Sequence, residues 1–261
     1  MSSSPVRENV KRLTRKLHIH GFLKACLPTG FRTPPIEYPP VAISVPPIKR
    51  EHFGYWGREE KSHHVARRYA NYFLTSVLDV GCDQKQLRDA IGRTDLRYVG
   101  VDRTAPADIR VDLEREEIPV AEAEFDTVLC LDVLEHLDGI HGAFAKLVRC
   151  TGRYLIISLP NNWFAAYDHM LRGCGVPRFY GLPASQPDDR HRWFFNFDDA
   201  DHFLQCCAEK YRLRIVERIA EWRVPNWPWW KRPFHLLRLL GPRNCYFRNR
   251  FYQTVWFVFE K

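Results

Sequence analysis

Two aspartates lie at the ends of strongly apolar segments. Asp79 lies in SVLDV (76–80), and Asp102 ends LRYVGVD (96–102), 23 positions later. A carboxylate at the end of a buried strand can accept hydrogen bonds from both hydroxyls of a ribose or pair with a ligand ammonium group. Taken singly, either aspartate is explained equally well as the N-cap of the following helix. Taken together, the two carboxylates favour ligand binding.

Two further segments carry an aspartate next to a leucine at their ends. Asp112 and Leu113 lie near the end of DIRVDLE (108–114), and Leu131 and Asp132 near the end of FDTVLCLDV (125–133). If all four segments are parallel strands, their carboxyl ends share one edge of a sheet, which is where ligands bind. Asp132 is explained equally well as a cap of the next helix.

Two histidines have the side-chain chemistry of a general base near neutral pH. His136 follows the 125–133 segment in LEHL, and His191 lies in PDDRHRWFFN, within a long irregular segment (161–196). The alternatives are a buried histidine with a backbone partner for His136 and a surface loop residue for His191. No CxxC pair occurs among the eight cysteines, so the sequence predicts no metal site.

The elements that must position these side chains alternate between strand and helix. Strands that are apolar on both faces and alternate with helices indicate a parallel sheet covered on both sides. The sequence therefore predicts an α/β fold with a doubly wound, mostly parallel, seven-stranded sheet. The predicted strands are 76–80, 96–102, 108–114, 125–133, 153–160, 212–222 and 254–260.

The ordered series VLDVGC, YVGVD, VDLE and FDTVLCLDVLEHL resembles the class I S-adenosylmethionine-dependent methyltransferases, most closely the small-molecule branch. The likeness covers residues 76–160 well and the chain beyond 190 loosely. It implies a Rossmann-like fold, S-adenosyl-L-methionine as the cofactor, and methyl transfer as the activity. A nicotinamide dehydrogenase requires GxGxxG after the first strand, which VGCDQKQL lacks.

The resemblance assigns a part of the cofactor to each strand end. The Asp79 carboxylate would recognise the methionine end, and Gly81 would let the backbone pass close to the cofactor. Asp102 would accept hydrogen bonds from both ribose hydroxyls. The remaining implied contacts, first to the adenine and then beside the sulfonium, come from Asp112, Leu113, Leu131 and Asp132.

The loop after the first strand departs from the family pattern. The family carries glycines at alternate positions after the acid, and here those positions hold Gly81, Asp83 and Lys85. One interpretation is a slightly wider loop in which Lys85 pairs with the carboxylate of the cofactor. The other is a weakened or lost cofactor site.

Basic segments flank an acidic middle. Residues 1–50 hold 9 Lys/Arg and 2 Asp/Glu, and residues 222–261 hold 8 and 1, so the total of +8 leaves residues 51–221 with −6. Such ends either meet an anionic partner or aid solubility. The sequence predicts a basic amphipathic helix (5–24) and a Pro-rich connector within 1–50, then a methyltransferase domain over 51–261. Inside that domain, 161–196 is predicted as a substrate lid and 222–251 as an aromatic-basic insert.

The predicted activity is methyl transfer to a small-molecule or amphiphilic acceptor, such as a sugar or a lipid-linked glycan, at oxygen. We expect a cytoplasmic protein, because no apolar run approaches the roughly 18 residues that span a bilayer and MSSSPVRENVKRL has no apolar core of a secretory signal. Tryptophan together with basic residues in 222–251 favours a membrane interface, so peripheral membrane association is also predicted. A nucleic-acid methyltransferase is one alternative, which the acidic middle disfavours. A methyltransferase fold that binds a partner without catalysis is the other. The pattern does not determine the oligomeric state.

Overall fold

The computed structural model describes residues 37–104, 106–171, 173–175, 179–187, 189–222 and 245–261. Residues 40–261 form one unit and residues 1–39 another. The predicted N-terminal helix (5–24) and most of the predicted aromatic-basic insert (223–244) lie outside the described residues. No helix in the described part of the chain combines the length and the apolar character needed to cross a bilayer.

Strands and helices alternate along the described part of the chain, which also contains two short 3-10 helices, Ala70–Tyr72 and Leu134–His136. The helices are α1 (Arg58–Arg68), α2 (Gln86–Ile91), α3 (Ile140–Cys150), α4 (Asn162–Leu171), α5 (Phe197–Tyr211) and α6 (Cys245–Phe251). The strands are β1 (Lys49–Glu51), β2 (Ser76–Val80), β3 (Arg97–Asp102), β4 (Ile109–Arg110), β5 (Phe125–Leu131), β6 (Thr151–Pro160), β7 (Arg214–Trp222) and β8 (Tyr252–Glu260).

All these strands form a single sheet with the order β1-β7-β8-β6-β5-β2-β3-β4. Strand β8 is antiparallel to both of its neighbours, β6 and β7, and every other pair is parallel. The strand order reverses at β2, because the chain runs outward through β3 and β4 and then returns to β5 on the other side. Ligands bind at the carboxyl ends of the strands beside such a reversal.

The predicted fold class is confirmed, with eight strands in the sheet where the sequence predicted seven. The additional strand is β1, which pairs in parallel with β7 so that Lys49 lies opposite Ile219. It begins just beyond Pro47, because proline lacks the N–H that a ladder requires. The sequence pattern had placed this segment in the connector. The structure groups residues 40–50 with the sheet, and three side chains of this stretch pack against its core, namely Ile43, Val45 and Ile48.

The third predicted strand (108–114) is shorter than expected, since β4 contains only two residues. The chain turns immediately afterwards, because the Asp112 carbonyl accepts hydrogen bonds from the N–H groups of Arg115 (3.0 Å) and Glu116 (2.8 Å). The predicted strand end therefore becomes a turn, which places the side chains of Asp112 and Leu113 at the edge of the sheet.

Large apolar side chains cover both faces of the sheet. Phe144 and Leu147 of α3 are fully buried on one face, and Tyr69 and Trp256 are fully buried on the other. Burial of a large apolar side chain stabilises the fold by about 1.5–3 kcal/mol. The ends of β2, β3 and β5 are therefore held on a fixed scaffold.

The segment predicted as a long irregular insert (161–196) begins with a helix, α4, so that part of the prediction was wrong. The side-chain amide of Asn161, just before α4, is buried and donates to the carbonyls of Asn249 and Tyr252, both at 2.7 Å. These long-range bonds fix the start of α4 against α6 and β8. No hydrophobic pattern in the local sequence predicts these hydrogen bonds.

Candidate active site

A cavity of about 1050 Å³ opens at the carboxyl ends of β2, β3 and β5. Its wall contains every candidate site residue that the sequence predicted, although these come from segments far apart in the chain. A cavity of this volume is large enough for a nucleoside cofactor together with a small acceptor. The candidates that line it are Asp79, Gly81, Asp102, Asp112, Leu113, Leu131, Asp132, His136 and His191.

Asp79 carries a buried carboxylate at the base of this cavity. Asp79 is 5% exposed, and the Tyr98 hydroxyl on β3 donates a hydrogen bond to the Asp79 carboxylate. Burial raises the pKa of Asp79 to about 6, against the opposing effect of the Tyr98 hydrogen bond. A buried carboxylate with one neutral partner is costly in water-free surroundings, and a cationic ligand group would offset that cost.

The loop after β2 packs tightly against Val133 at a position that only glycine can occupy. Gly81 has φ +85°, and a Cβ at this position would lie 2.2 Å from Cγ2 of Val133. Asp83 (φ 46°) and Lys85 (φ 58°) also adopt left-handed conformations, the region that glycine favours. The loop therefore keeps a glycine-like backbone path even where the sequence departs from the family pattern.

Lys85 is not among the residues that line the cavity. Its ammonium lies 2.5 Å from Oδ1 of Asp108, and Asp83 pairs with Arg58. The expected pairing of Lys85 with the cofactor is therefore replaced by an ion pair within the protein. Both departures from the family pattern are accommodated by local partners.

Asp102 is fixed at the end of β3 by three hydrogen bonds. Its carboxylate accepts from the Asp83 N–H, the Thr104 N–H and the Thr104 hydroxyl, all at 3.1 Å. A carboxylate has about four acceptor positions, so most are already filled. Binding of both ribose hydroxyls would therefore require these oxygens to be shared with Thr104 or the loop.

Asp112 and Leu113 lie at the turn after β4. The Asp112 carboxylate accepts a 3.0 Å hydrogen bond from the Glu114 N–H, and Leu113 is partly buried against the core. One polar and one apolar side chain are thus presented side by side at the cavity wall. The polar Asp112 side chain suits the hydrogen-bonding edge of an adenine, and the apolar Leu113 side chain suits its face.

Leu131 ends β5, and Asp132 follows with a left-handed backbone (φ 54°). The Asp132 carboxylate accepts hydrogen bonds from the Lys61 ammonium and the Ser158 hydroxyl, both at 2.5 Å. Burial opposes ionisation, but Lys61 and Ser158 outweigh it and hold the pKa of Asp132 below its usual range. The 3-10 helix that follows has no side-chain cap, so Asp132 does not act as a helix cap.

The two candidate histidines meet at the other side of the cavity, although they are 55 positions apart in the sequence. Their ring centroids are 4.5 Å apart in an edge-to-face arrangement, and Phe179 stacks on His191 at 4.6 Å. The Tyr180 hydroxyl lies 2.6 Å from Nδ1 of His191. Burial and the neighbouring His136 lower the pKa of His191 to about 4, so its ring is neutral at pH 7.

Three polar side chains at the candidate site were not predicted from the sequence. Glu135 is 1% exposed and lies directly before His136, and burial raises its pKa well above the usual range. Asp189 approaches His136, with Oδ1 at 2.7 Å from Nδ1. Lys61 reaches the site from α1. The LEHL motif contained a signal for Glu135, whereas the contributions of Lys61 and Asp189 depend on tertiary contacts.

A family profile described as a methyltransferase domain matches residues 21–217, which is most of the chain. The chain belongs to this family. It is a class I S-adenosylmethionine-dependent methyltransferase, so the alternative of a non-catalytic fold is not retained. A search of curated protein sequences found no significant match.

Solved structures share the fold at low sequence identity. A SAM-dependent methyltransferase from Archaeoglobus fulgidus is 18% identical, with a TM-score of 0.53, over 78% of this chain and 95% of that chain. The small RNA methyltransferase HEN1 is 14% identical, with a TM-score of 0.53, over 88% of this chain and 27% of that chain. At these low sequence identities, the similarity shows that the proteins share a fold.

The cofactor of the methyltransferase is S-adenosylmethionine, and the observed cavity fits it. Gly81 lines the cavity, and its φ of +85° together with the packing of Val133 requires glycine at this position. The buried carboxylate of Asp79 supplies the anion that an ammonium group requires. The residues present therefore suit the cofactor that the family uses.

Proposed function

We propose that the methyltransferase transfers a methyl group to a hydroxyl oxygen of a small-molecule acceptor. The observation that carries this proposal is the pair of imidazoles, His136 and His191, 4.5 Å apart on the same cavity that holds the candidate cofactor residues. A hydroxyl is a weak nucleophile at neutral pH and must lose its proton as the bond to carbon forms. Polar groups that act on that proton are therefore expected next to the acceptor.

The proposed cofactor contacts follow the order of the strands. Asp79 would face the ammonium of the methionine moiety, with Gly81 giving the backbone room to approach. Asp102 would bind the ribose. The cofactor, when bound, supplies an electrophilic methyl group on a sulfonium, so the chain has to position the two reactants and exclude water. The residues proposed for the adenine and for the sulfonium surroundings are Asp112, Leu113, Leu131 and Asp132.

For the acceptor we propose an amphiphilic molecule with a ring, such as a sugar or a lipid-linked glycan. Aromatic side chains gather beside the histidines, with Tyr180 and Phe194 in edge-to-face contact at 5.1 Å. Trp193 is partly exposed and donates its indole N–H to the Leu137 carbonyl at 2.7 Å, which orients the ring. Such rings offer an apolar face to a ligand while the polar groups fix its orientation.

The second candidate function is methylation of RNA, because HEN1 shares the fold and is a small RNA methyltransferase. Residues 51–221, which contain most of the cavity wall, carry a net charge of −6. Nucleic-acid affinity arises mainly from basic residues that neutralise phosphates. The small-molecule acceptor is therefore favoured, and peripheral association with a membrane through the aromatic-basic insert stays a prediction.

The test is a transfer assay with S-adenosylmethionine carrying a labelled methyl group. Sugars, lipid-linked glycans and short RNAs are offered as acceptors, and the methylated atom is identified by mass spectrometry. We expect O-methylation of a sugar-containing acceptor, with a loss of about 100-fold or more in His136→Gln and His191→Gln. His141→Gln, an exposed histidine away from the cavity, is the matched control. Transfer to RNA or to nitrogen would contradict the proposal.

A further inference from the structure

The side chains of Glu135, His136 and His191 converge at one point on the wall of the cavity. Within the described residues they are the one set of three His, Cys, Asp or Glu side chains whose donor atoms all lie within 4.8 Å of one another. Ligand atoms of a six-coordinate ion at about 2.1 Å lie about 3–4 Å apart. Small side-chain rotations would bring these three donors to such spacings.

The ring nitrogens of the two histidines are not equivalent. Nδ1 of His191 lies 2.6 Å from the Tyr180 hydroxyl, and Nδ1 of His136 lies 2.7 Å from the Asp189 carboxylate. The Asp189 contact is off the hydrogen-bond direction, so Nδ1 of His136 still lacks a well-directed partner. An oxygen partner on one ring nitrogen is the usual support for metal binding through the other. In His191 this leaves Nε2 as the donor. In His136 we take Nε2 as the donor because it is the nitrogen that faces Glu135, 3.8 Å from Oε1.

Glu135 gives an independent indication of a missing ligand. It is 1% exposed, its Oε2 has no hydrogen-bond partner, and its Oε1 lies 3.8 Å from Nε2 of His136. A buried carboxylate oxygen without a partner is unfavourable unless a cation or donor occupies the adjacent space. The open cavity supplies that space, since all three residues line it.

We propose that Glu135, His136 and His191 bind a divalent cation through one carboxylate oxygen and two Nε2 atoms. Two imidazoles and one carboxylate favour a borderline ion such as Mn²⁺, Fe²⁺, Co²⁺ or Zn²⁺ over Ca²⁺ or Mg²⁺, which prefer oxygen donors throughout. Three protein ligands leave open coordination positions facing the cavity. A cation bound here reverses the sequence-based expectation of no metal site.

The site deepens the proposed function and rests on it. An acceptor hydroxyl bound at an open position would lose its proton more readily, because the cation stabilises the alkoxide. The proton passes to solvent water, the oxygen forms a bond to the methyl carbon, the carbon–sulfur bond breaks, and its electron pair stays on sulfur. The two histidines then act as ligands, and proton transfer to their rings is not needed.

The experiment measures Mn²⁺ binding to the full chain without a histidine tag, after treatment with EDTA. Free Mn²⁺ is quantified by electron paramagnetic resonance, and Zn²⁺ competes in a parallel titration. We expect one site with micromolar affinity, weakened at least about 10-fold in Glu135→Gln, His136→Gln and His191→Gln. His141→Gln should bind as the unmodified protein does. Retained binding of S-adenosylhomocysteine shows that each variant is folded.

The possible results separate the metal site from the proposed function. Site-dependent Mn²⁺ binding supports the metal site even if no hydroxyl acceptor is found, in which case the proposed function alone fails. Absence of binding, or equal binding in all variants, overturns the metal site. Methyl transfer that survives EDTA at an unchanged rate also overturns its role while leaving O-methylation intact.

Discussion

The Tyr98 hydroxyl donates a hydrogen bond to the buried carboxylate of Asp79 across the adjacent strands β3 and β2. This neutral partner compensates only part of the desolvation, and burial keeps the pKa of Asp79 near 6. The folded protein therefore binds a proton at Asp79 more tightly than the unfolded chain does. The stability that results is present below about pH 4 and is lost as the pH rises through 6.

Asp79→Asn should therefore stabilise the cofactor-free protein at pH 7.5, because a buried charge is removed. The upper limit is about 3 kcal/mol, and the gain should vanish at pH 4. Thermal unfolding at the two pH values measures the difference. The same variant should lose at least about 10-fold in affinity for S-adenosylmethionine. Equal stability of the unmodified protein and Asp79→Asn at pH 7.5 would show that burial of the charged Asp79 carboxylate does not destabilise the fold.

Asp102→Ala should abolish micromolar binding of both S-adenosylmethionine and its demethylated product, because the ribose would lose its acceptor at the end of β3. Isothermal titration calorimetry measures the two affinities. Asp95→Ala removes an exposed aspartate that pairs with Arg93, so it controls for a general change in charge. If Asp102→Ala binds as tightly as the control, the ribose lies elsewhere.

Gly81→Ala should destabilise the protein and weaken cofactor binding, because the new Cβ would meet Val133 at 2.2 Å and the backbone has φ +85°. We expect a loss of about 1–3 kcal/mol in the free energy of unfolding. Gly142→Ala in α3 is the matched control, since a Cβ added at that position would have no neighbour within 4 Å. The control should be neutral or gain about 0.5–1 kcal/mol. A Gly81→Ala variant that folds well and binds the cofactor tightly would show that the packing of Val133 against Gly81 does not require glycine.

Asp83→Gly tests whether the departure from the family glycine pattern matters. The change relieves a left-handed aspartate, worth about 1 kcal/mol, and removes an exposed ion pair with Arg58, worth about 0–1 kcal/mol. Unfolding stability should therefore change by less than about 1 kcal/mol, and the cofactor affinity by less than about threefold. Calorimetry and thermal unfolding measure both, and a large gain in affinity would mean that Asp83 obstructs the cofactor.

The strand ends were predictable because a buried parallel strand leaves a strong local pattern. Asp79 and Asp102 could be placed on one edge from the apolar segments that precede them. Strand β1 could not be predicted, because three residues beside prolines are too few to show an alternating hydrophobic pattern. They form a strand because they pair with the edge of β7. Glu135 is part of the LEHL motif, but its burial in the folded chain could not be predicted from that motif. Lys61 likewise reaches Asp132 only through the packing of α1.

The short strand β1 also decides which backbone groups the methyltransferase exposes at the edge of its sheet. It covers the outer edge of β7 opposite Ile219, Ala220 and Glu221, and Arg68 joins Glu51 on β1 to Glu217 on β7. An uncovered edge strand offers unpaired N–H and C=O groups to any other extended chain. A protein shortened to begin at residue 52 would keep every residue of the cavity wall but would expose this edge of β7. We expect such a protein to self-associate before it loses methyltransferase activity.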